Sequence, residues 1–409
     1  MTVQHRAFAS LSKPALPPRQ FPSSGFEIVD PSIELEEEWL PYYNKDAFYP
    51  VRIGEVLGER YQVITKLGWG TTSTVWLGHD LCDDRYVTLK VHAYPMLSTH
   101  ELEINKHIDT VKAEHGGRNI IRMIRHKFDL QGTLGIHQVF VFPPLGVSLY
   151  LLQEALPSET KTFIPRSFAM ALQRVLAALN FLHEYANITH TDVHSGNLLA
   201  GVADESKLEA FVTREITRPS ARKIVDGATI HSSQCMIHDV GPLYLCDMGE
   251  ARIGDEHTGK VMPLPHRAPE VILDMPWGHA IDMWSVGLLA WDLLQPKGLL
   301  QIYDMDDLEN NDDHHLANLT ALLGPPPSDF LQKSPRANKF WDNQGNWIGT
   351  VPIPEERTLE SLETMLQGEE REQFLDLIRG LLCWRPEERL SSVEAFAHPW
   401  MSNAISGET

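Results

Sequence analysis

The 409-residue chain has little cysteine: four residues, at 82, 235, 246 and 383, with no C-x-x-C pair among them. That argues against a zinc ribbon and against a disulfide framework. A reducing compartment is the expectation. Long apolar runs are also lacking. The best candidate, residues 284–294, is short and contains Asp292, well under the ~18 residues that a membrane span needs. Positive charge is scarce, with 35 Lys and Arg against 55 Asp and Glu and a net charge of −20. This balance disfavours direct binding of nucleic acid or of an anionic membrane surface, and it favours a basic partner.

What is present is ordinary for a globular chain. Hydrophobic residues make up 43% and charged residues 22%, so a fibrous or mainly disordered protein is excluded. The length suggests two to three domain-sized units at roughly 150 residues each. No internal repeat is visible. Residues 1–30 read as a disordered tail, because Pro14, Pro17, Pro18 and Pro22 oppose a long helix. The alternative is a mitochondrial targeting segment in residues 1–26, where Arg6, Lys13 and Arg19 occur with serines and no acid. Otherwise the expected location is cytoplasm or nucleus.

After an acidic stretch, Glu34 to Glu38, the sequence turns strand-like. Tyr61 to Leu67, Ser73 to Leu77 and Tyr86 to Val91 read as strands, with a glycine turn at Gly68-Trp69-Gly70. Glu101 to Thr110 reads as a helix. Ile120 to Ile124 and His137 to Phe142 read as further strands. Beyond Pro143-Pro144-Leu145-Gly146 the pattern becomes helical, with apolar residues at helical spacing from Ser167 to Glu184. Further apolar helices are expected at 281–294 and 372–382. The fold class is therefore α+β, with a small strand-rich lobe over 31–145 and a larger helical lobe over 146–409. Residues 201–240 are polar without clear periodicity and read as an insert. A second, acid-rich insert spans about 301–357, with six acids and no Lys or Arg between Gln301 and His315.

Several motifs carry chemistry. In Gly68-x-Gly70-x-x-Ser73-x-Val75, glycines let the backbone approach a phosphate and offer N–H donors. Strands on both sides argue against a dinucleotide fingerprint, in which the turn opens a helix. Lys90, on the next strand but one, can reach phosphate oxygens, braced by Glu103 or, as second choice, Glu101. In His190-Thr191-Asp192-Val-His194-Ser-Gly196-Asn197, the Asp can orient and deprotonate a hydroxyl. The Asn carbonyl oxygen is a hard ligand for magnesium. His190 and His194 as metal ligands is the competing reading, weakened because a loop containing Gly196 is not the helix that H-x-x-x-H requires. Asp247, ending the apolar Leu245-Cys-Asp247-Met-Gly249, can deliver a second carboxylate to the metal.

The order of these motifs, followed by Ala268-Pro269-Glu270, resembles the protein-kinase signature over about residues 55–402. Asp282-Met-Trp284-Ser-Val-Gly287 is similar to the family's central helix, and Arg389 to the arginine that pairs with the Ala-Pro-Glu carboxylate, here Glu270. Tyr49 to Tyr61, Lys66-Leu-Gly-Trp-Gly70, Ser73-Thr-Val-Trp-Leu77 and His190-Thr-Asp192 look like SR-protein kinases, in a divergent, fungal-type form.

The resemblance implies a bilobal kinase fold with ATP between the lobes. Its phosphates would lie under Leu67, Gly68, Trp69, Gly70, Thr71, Thr72, Ser73, Thr74 and Val75, and its adenine would meet the Pro143 carbonyl and the Leu145 N–H. Lys90 would hold the phosphates, braced by Glu103. Asp192 would accept the proton, and Asn197 and Asp247 would bind Mg2+. The implied substrate is serine in a basic Arg/Ser-rich protein segment, as in splicing factors, and the chain is expected to act as a monomer. Part of the family's arginine-gripping pattern falls on His314 and Ala321, with Asp306, Asp307, Glu309, Asp312 and Asp313 as replacements. Thr191 stands where many kinases have an arginine that receives a phosphate, and Thr258 is the one hydroxyl acceptor between Asp247 and Glu270. Activity without phosphorylation there is the expectation. His194 stands where lysine is usual, and Gly196 departs from the pattern as well. Alternative readings are a pseudokinase scaffold, or a small-molecule phosphotransferase like the aminoglycoside and choline kinases.

Overall fold

A computed structural model describes residues 15–96, 99–225, 227–235, 241–306 and 310–406. The first 14 residues of the expected tail, and the acids Asp307 and Glu309, lie outside the described residues. The chain divides into two compact units. One gathers described residues from 15–96, 123–145 and 202–235. The other gathers those from 99–122, 146–201, 241–306 and 310–406.

The first unit is built on a six-stranded antiparallel sheet of β1 (Val56–Leu57), β2 (Tyr61–Gly70), β3 (Ser73–Asp80), β4 (Arg85–His92), β5 (His126–Gln131) and β6 (Ile136–Phe142). The spatial order is β1-β2-β3-β4-β6-β5. Alternate side chains point to opposite faces of a strand. One face buries Val63, Trp76, Leu89, Val91, Val139 and Val141. The other buries Ile64 and Leu77 against Leu208 and Val212. Those last two belong to helix α4 (Ser206–Thr217), which is followed by a hairpin of β10 (Arg222–Val225) and β11 (Ala228–His231).

The second unit is mainly helical. Helix α1 (Thr99–Thr110) is joined by α2 (Leu149–Glu154), α3 (Pro165–Asn180), α5 (Pro269–Ile272), α6 (Ala280–Leu294) and α7 (Asn310–Leu323), with further helices to residue 406. Pro165 opens α3, where its missing N–H costs nothing. The inward face of α3 carries Phe168, Leu172, Val175, Leu176 and Leu179. Helix α6 is apolar almost all round and is buried accordingly. Two small sheets complete the unit. They are β12-β9-β7, from β7 (Leu145–Ser148), β9 (Leu198–Gly201) and β12 (Leu243–Leu245), and β13-β8, from β8 (Ile188–Thr189) and β13 (Arg252–Ile253).

Four features differ from the sequence reading. Residues 15–30 are not a loose tail: Leu16 N–H donates to Leu81 O at 2.8 Å, and Arg19 pairs with Glu209 of α4. Residues 202–235 group with the sheet unit rather than with the helical one. The stripe Leu208, Phe211, Val212 falls at helical spacing within an otherwise charged segment, so composition hides it. Helix α1 groups with the helical unit, where His107 bonds Ala186 O at 2.7 Å and His100 bonds Ala251 O at 2.6 Å. Residues 120–124 form no strand. Ile120 ends a 3-10 turn, Gly116–Ile120, and Ile121 makes a single bridge to Leu245.

Candidate active site

The first unit supplies the glycine turn and the lysine. Strands β2 and β3 pair Gly68 with Val75, Trp69 with Thr74 and Gly70 with Ser73, leaving Thr71 and Thr72 as the tip. A Cβ placed on Gly68 or Gly70 would meet nothing within 4 Å. Packing therefore does not demand these glycines, and their backbone is open to a close-approaching group such as a phosphate. Leu67 is half-buried just before the turn. Strand β4 pairs Lys90 with Val75 on one side and with Phe140 of β6 on the other. The register thus sets the lysine beside the strand that leaves the turn. Pro143 and Leu145 follow the end of β6, the first half-buried and the second buried.

The second unit supplies the acid–base loop. Its foundation is Asp282, a fully buried carboxylate on α6. Such a group is costly unless it is bonded, and here it accepts three hydrogen bonds. The N–H groups of His190 and Thr191 donate to it at 2.7 and 2.8 Å, and His183 Nε2–H at 2.8 Å. Burial pushes the Asp282 carboxyl up, but His183, His190 and these N–H donors outweigh it and hold it below the ordinary aspartate value. The bonds secure Thr191 at φ 69°, a conformation unfavourable for a β-branched residue. Its hydroxyl donates to Glu250 O at 2.8 Å.

Asp192 follows this strained residue. Its Oδ2 accepts from Asn197 Nδ2 at 2.7 Å, and its backbone O accepts from the same amide at 3.0 Å. Burial pushes the Asp192 carboxyl up. The neighbouring His194, His190 and Asn197 outweigh burial and leave it below the usual carboxylate range. Asp192 is therefore ionised at neutral pH, as a group that orients a hydroxyl must be. His190 is not a metal ligand. Its Nδ1 accepts the Asp192 N–H at 3.2 Å, and its Nε2–H donates to Cys246 O at 3.2 Å.

Asp247 leaves β12 at φ 66° and accepts the Gly249 N–H at 3.1 Å. With both Asn197 N–H groups directed at Asp192, the amide oxygen is the atom left for a cation. One amide oxygen and one carboxylate fit magnesium, which takes few protein ligands beside phosphates and water. Among the described residues, no cluster of three His, Cys, Asp or Glu side chains is placed to hold a metal ion.

The two carboxylates considered on α1 differ in burial. The inward stripe of α1 runs through Glu101, Ile104, Asn105 and Ile108, while Glu103 is exposed on the other side. Glu101, the second choice from sequence, is the buried one. Arg122 was not foreseen as part of this site. Burial pushes its guanidinium down from the ordinary value, and Cys246, Glu101 and Asp247 pull the other way. A lone charge inside Ile120-Ile-Arg122-Met-Ile124 is the signal that marks it. The expected Arg389–Glu270 pair forms bidentate bonds of 2.6 and 2.7 Å, with both side chains closed to solvent.

Residues 61–401 match the model of the protein kinase domain. A serine/threonine protein kinase of Aspergillus fumigatus is 37% identical over 98% of this chain and 99% of its own. The serine/threonine-protein kinase SRPK of Physarum polycephalum is 26% identical, covering 90% of this chain and 92% of its own. The dual specificity protein kinase CLK4 of Homo sapiens is 27% identical over 85% of this chain and 67% of its own. A solved kinase domain shares the fold with a TM-score of 0.65 at 22% identity, over 88% of this chain and 100% of that one. Family match and whole-length likeness lead to one assignment: this chain belongs to the protein kinase family, as a serine/threonine kinase that uses ATP.

Proposed function

We propose that this kinase works on ATP with magnesium and phosphorylates serine in basic, Arg/Ser-rich segments of a protein. The observation that carries the substrate class is the match along 90% of the chain to a kinase named SRPK, in a molecule whose net charge is −20. A field of that sign draws in an arginine-rich segment and raises its rate of encounter. The acids that grip it need revision. Asp312 and Asp313 are buried, the first paired with Arg336 at 2.7 Å and the second accepting from the Thr350 N–H at 2.8 Å. They brace α7 and do not face a ligand. Asp306 is exposed, as a carboxylate that meets a basic segment would be, and His314 stacks on Tyr303 at 4.7 Å.

In this reading Asn197 and Asp247 would hold the magnesium, which neutralises phosphate charge when bound. Asp192, held on Oδ2 by Asn197, points a serine hydroxyl and takes its proton. The glycine turn and Lys90 seat the phosphates. Catalysis is then positioning and charge stabilisation. In this reading the protein acts as a monomer in cytoplasm or nucleus, and the four free cysteines support a reducing compartment.

The test is transfer from labelled ATP, with magnesium, to an Arg/Ser-repeat peptide, beside a neutral serine peptide and an Asp192→Ala control. The reading expects strong transfer to the basic peptide that vanishes in the control. Equal transfer to both peptides would remove the substrate class, and transfer to neither would redirect the search to another acceptor.

A further inference from the structure

The catalytic loop departs from the common kinase pattern twice, at His194 and at Gly196. In the structure the two departures are one arrangement. The His194 side chain folds back over its own loop, and its Nδ1 accepts the Gly196 N–H at 3.1 Å. With Nδ1 used as an acceptor, the ring proton sits on Nε2. That atom faces Asp192 Oδ1 at 3.5 Å. The other carboxylate oxygen, Oδ2, is already held by Asn197 at 2.7 Å. The Asp192 carboxylate is therefore flanked on both oxygens. The His194 ring is backed by His266, with centroids 5.9 Å apart and planes at 28°.

Gly196 has no backbone reason to be glycine, because it is not among the residues with positive φ. It has a steric one. A Cβ at 196 would stand 2.7 Å from His194 Cε1 and 2.9 Å from Nδ1. Any side chain there displaces the ring.

We propose that His194 and Gly196 are a coupled pair, in which the ring is seated by the glycine and directs its Nε2–H at Asp192, fixing the carboxylate that receives the substrate proton. His194 is thus a positioning residue acting through Asp192. It donates toward the catalytic carboxylate, whereas a lysine at this position would serve the transferred phosphate. The 3.5 Å separation is long for a hydrogen bond, and such bonds tighten when substrate is bound.

The test is steady-state phosphate transfer from labelled ATP to a basic protein acceptor, using the full chain, with thermal melting as a folding control. Gly196→Ala and His194→Ala should each lower kcat about tenfold, the scale of one hydrogen bond to a charged group, while KM for ATP stays within about twofold. The double variant should be no worse than His194→Ala alone, because the ring that a methyl group at position 196 would push is already gone. His194→Gln keeps a donor near the Nε2 position and should recover most of kcat. His194→Asn keeps only the acceptor for the Gly196 N–H and should not. Full kcat in Gly196→Ala, additive losses in the double variant, or rescue by Asn rather than Gln would each overturn the proposal. The last outcome would show that the ring merely caps the loop. The Gln and Asn variants differ little in bulk from histidine, so they decide the matter even where an alanine variant misfolds.

Discussion

The ammonium of Lys66 sits against the carboxylate of Glu37, and the lysine side chain is entirely closed to solvent. Glu36 adds a second carboxylate at 3.7 Å, itself bonded by the N–H and hydroxyl of Ser233. Lys66 lies on β2, two residues before Gly68. Trp39, at the end of the same acidic turn, packs edge-on against Trp69 with centroids 6.1 Å apart. The acidic stretch near the start of the chain thus anchors the strand that leads into the glycine turn. Removing one member of a buried pair leaves an uncompensated charge, which costs about 3 kcal/mol or more. Glu37→Gln is expected to lower stability by about that amount and to raise KM for ATP. Lys66→Met in the Glu37→Gln background should restore most of the stability. Denaturant unfolding of the three variants measures this, and a Glu37→Gln protein as stable as the parent would show that Glu36 suffices.

His231 gives an acid-side prediction. It is buried against Trp76, with ring centroids 5.5 Å apart, and among the described residues neither ring nitrogen has a hydrogen-bond partner. Burial pushes it down to about 3, with the positive charges of Arg222 and Lys66 acting in the same direction. The unfolded chain binds a proton here below about pH 6.5, and the folded chain does not until about pH 3. Stability from this site is therefore full above about pH 6.5 and falls as pH drops through that window. His231→Phe removes the titration and keeps the edge contact with Trp76. Its advantage over the parent should widen on going from about pH 7.5 to about pH 5, by up to about 1.4 kcal/mol per pH unit. Melting curves at the two pH values measure it, and an unchanging gap would contradict the assignment.

Asp282 supports the strained turn at Thr191, so its effect should show in turnover more than in affinity. Asp282→Asn keeps the shape but replaces one acceptor oxygen with a donor, facing either His183 Nε2–H or a backbone N–H. The expected result is a kcat lower by about 10- to 100-fold, the scale of one or two lost bonds to a charged group, with KM for ATP nearly unchanged. A rise in KM alone would mean that the carboxylate supports nucleotide binding and not the loop.

Much of this site was legible because kinase chemistry places distinctive residue types in a fixed order. Gly68, Lys90, Asp192, Asn197 and Asp247 could be read without knowing any contact. The residues that were misread depend on phase or on packing. That Glu101 is buried and Glu103 exposed depends on the inward side of α1, which a helix of mostly polar residues does not announce. Asp312 and Asp313 look like a solvated acidic face until Arg336 and Thr350 are seen against them. Helix α4 was hidden because three apolar residues in a charged stretch make a weak pattern, decisive only once Ile64 and Leu77 are beneath it. The link between His194 and Gly196 is a rotamer, which spacing cannot reveal.

The activation segment should work without a phosphate. Between Asp247 and Glu270 the chain is held by backbone pairing of β13 with β8, Arg252 opposite Thr189 and Ile253 opposite Ile188. The Thr191 hydroxyl bonds Glu250 O, and His100 bonds Ala251 O at 2.6 Å. Thr258 is exposed beyond these contacts, and its neighbour His257 pairs with Trp277 through two backbone bonds of 2.8 and 2.9 Å. The neutral Thr191 hydroxyl thus joins the catalytic loop to the segment where an arginine–phosphate contact would do so in many kinases. Thr258→Ala is expected to keep kcat within about twofold. Thr191→Val, which keeps the branched shape and removes the hydroxyl, should lower kcat by about three- to tenfold, the value of one neutral hydrogen bond. Phosphate-transfer rates on phosphatase-treated protein test both. A Thr258→Ala enzyme that folds normally but has lost its turnover would show that a phosphate at that position is required after all.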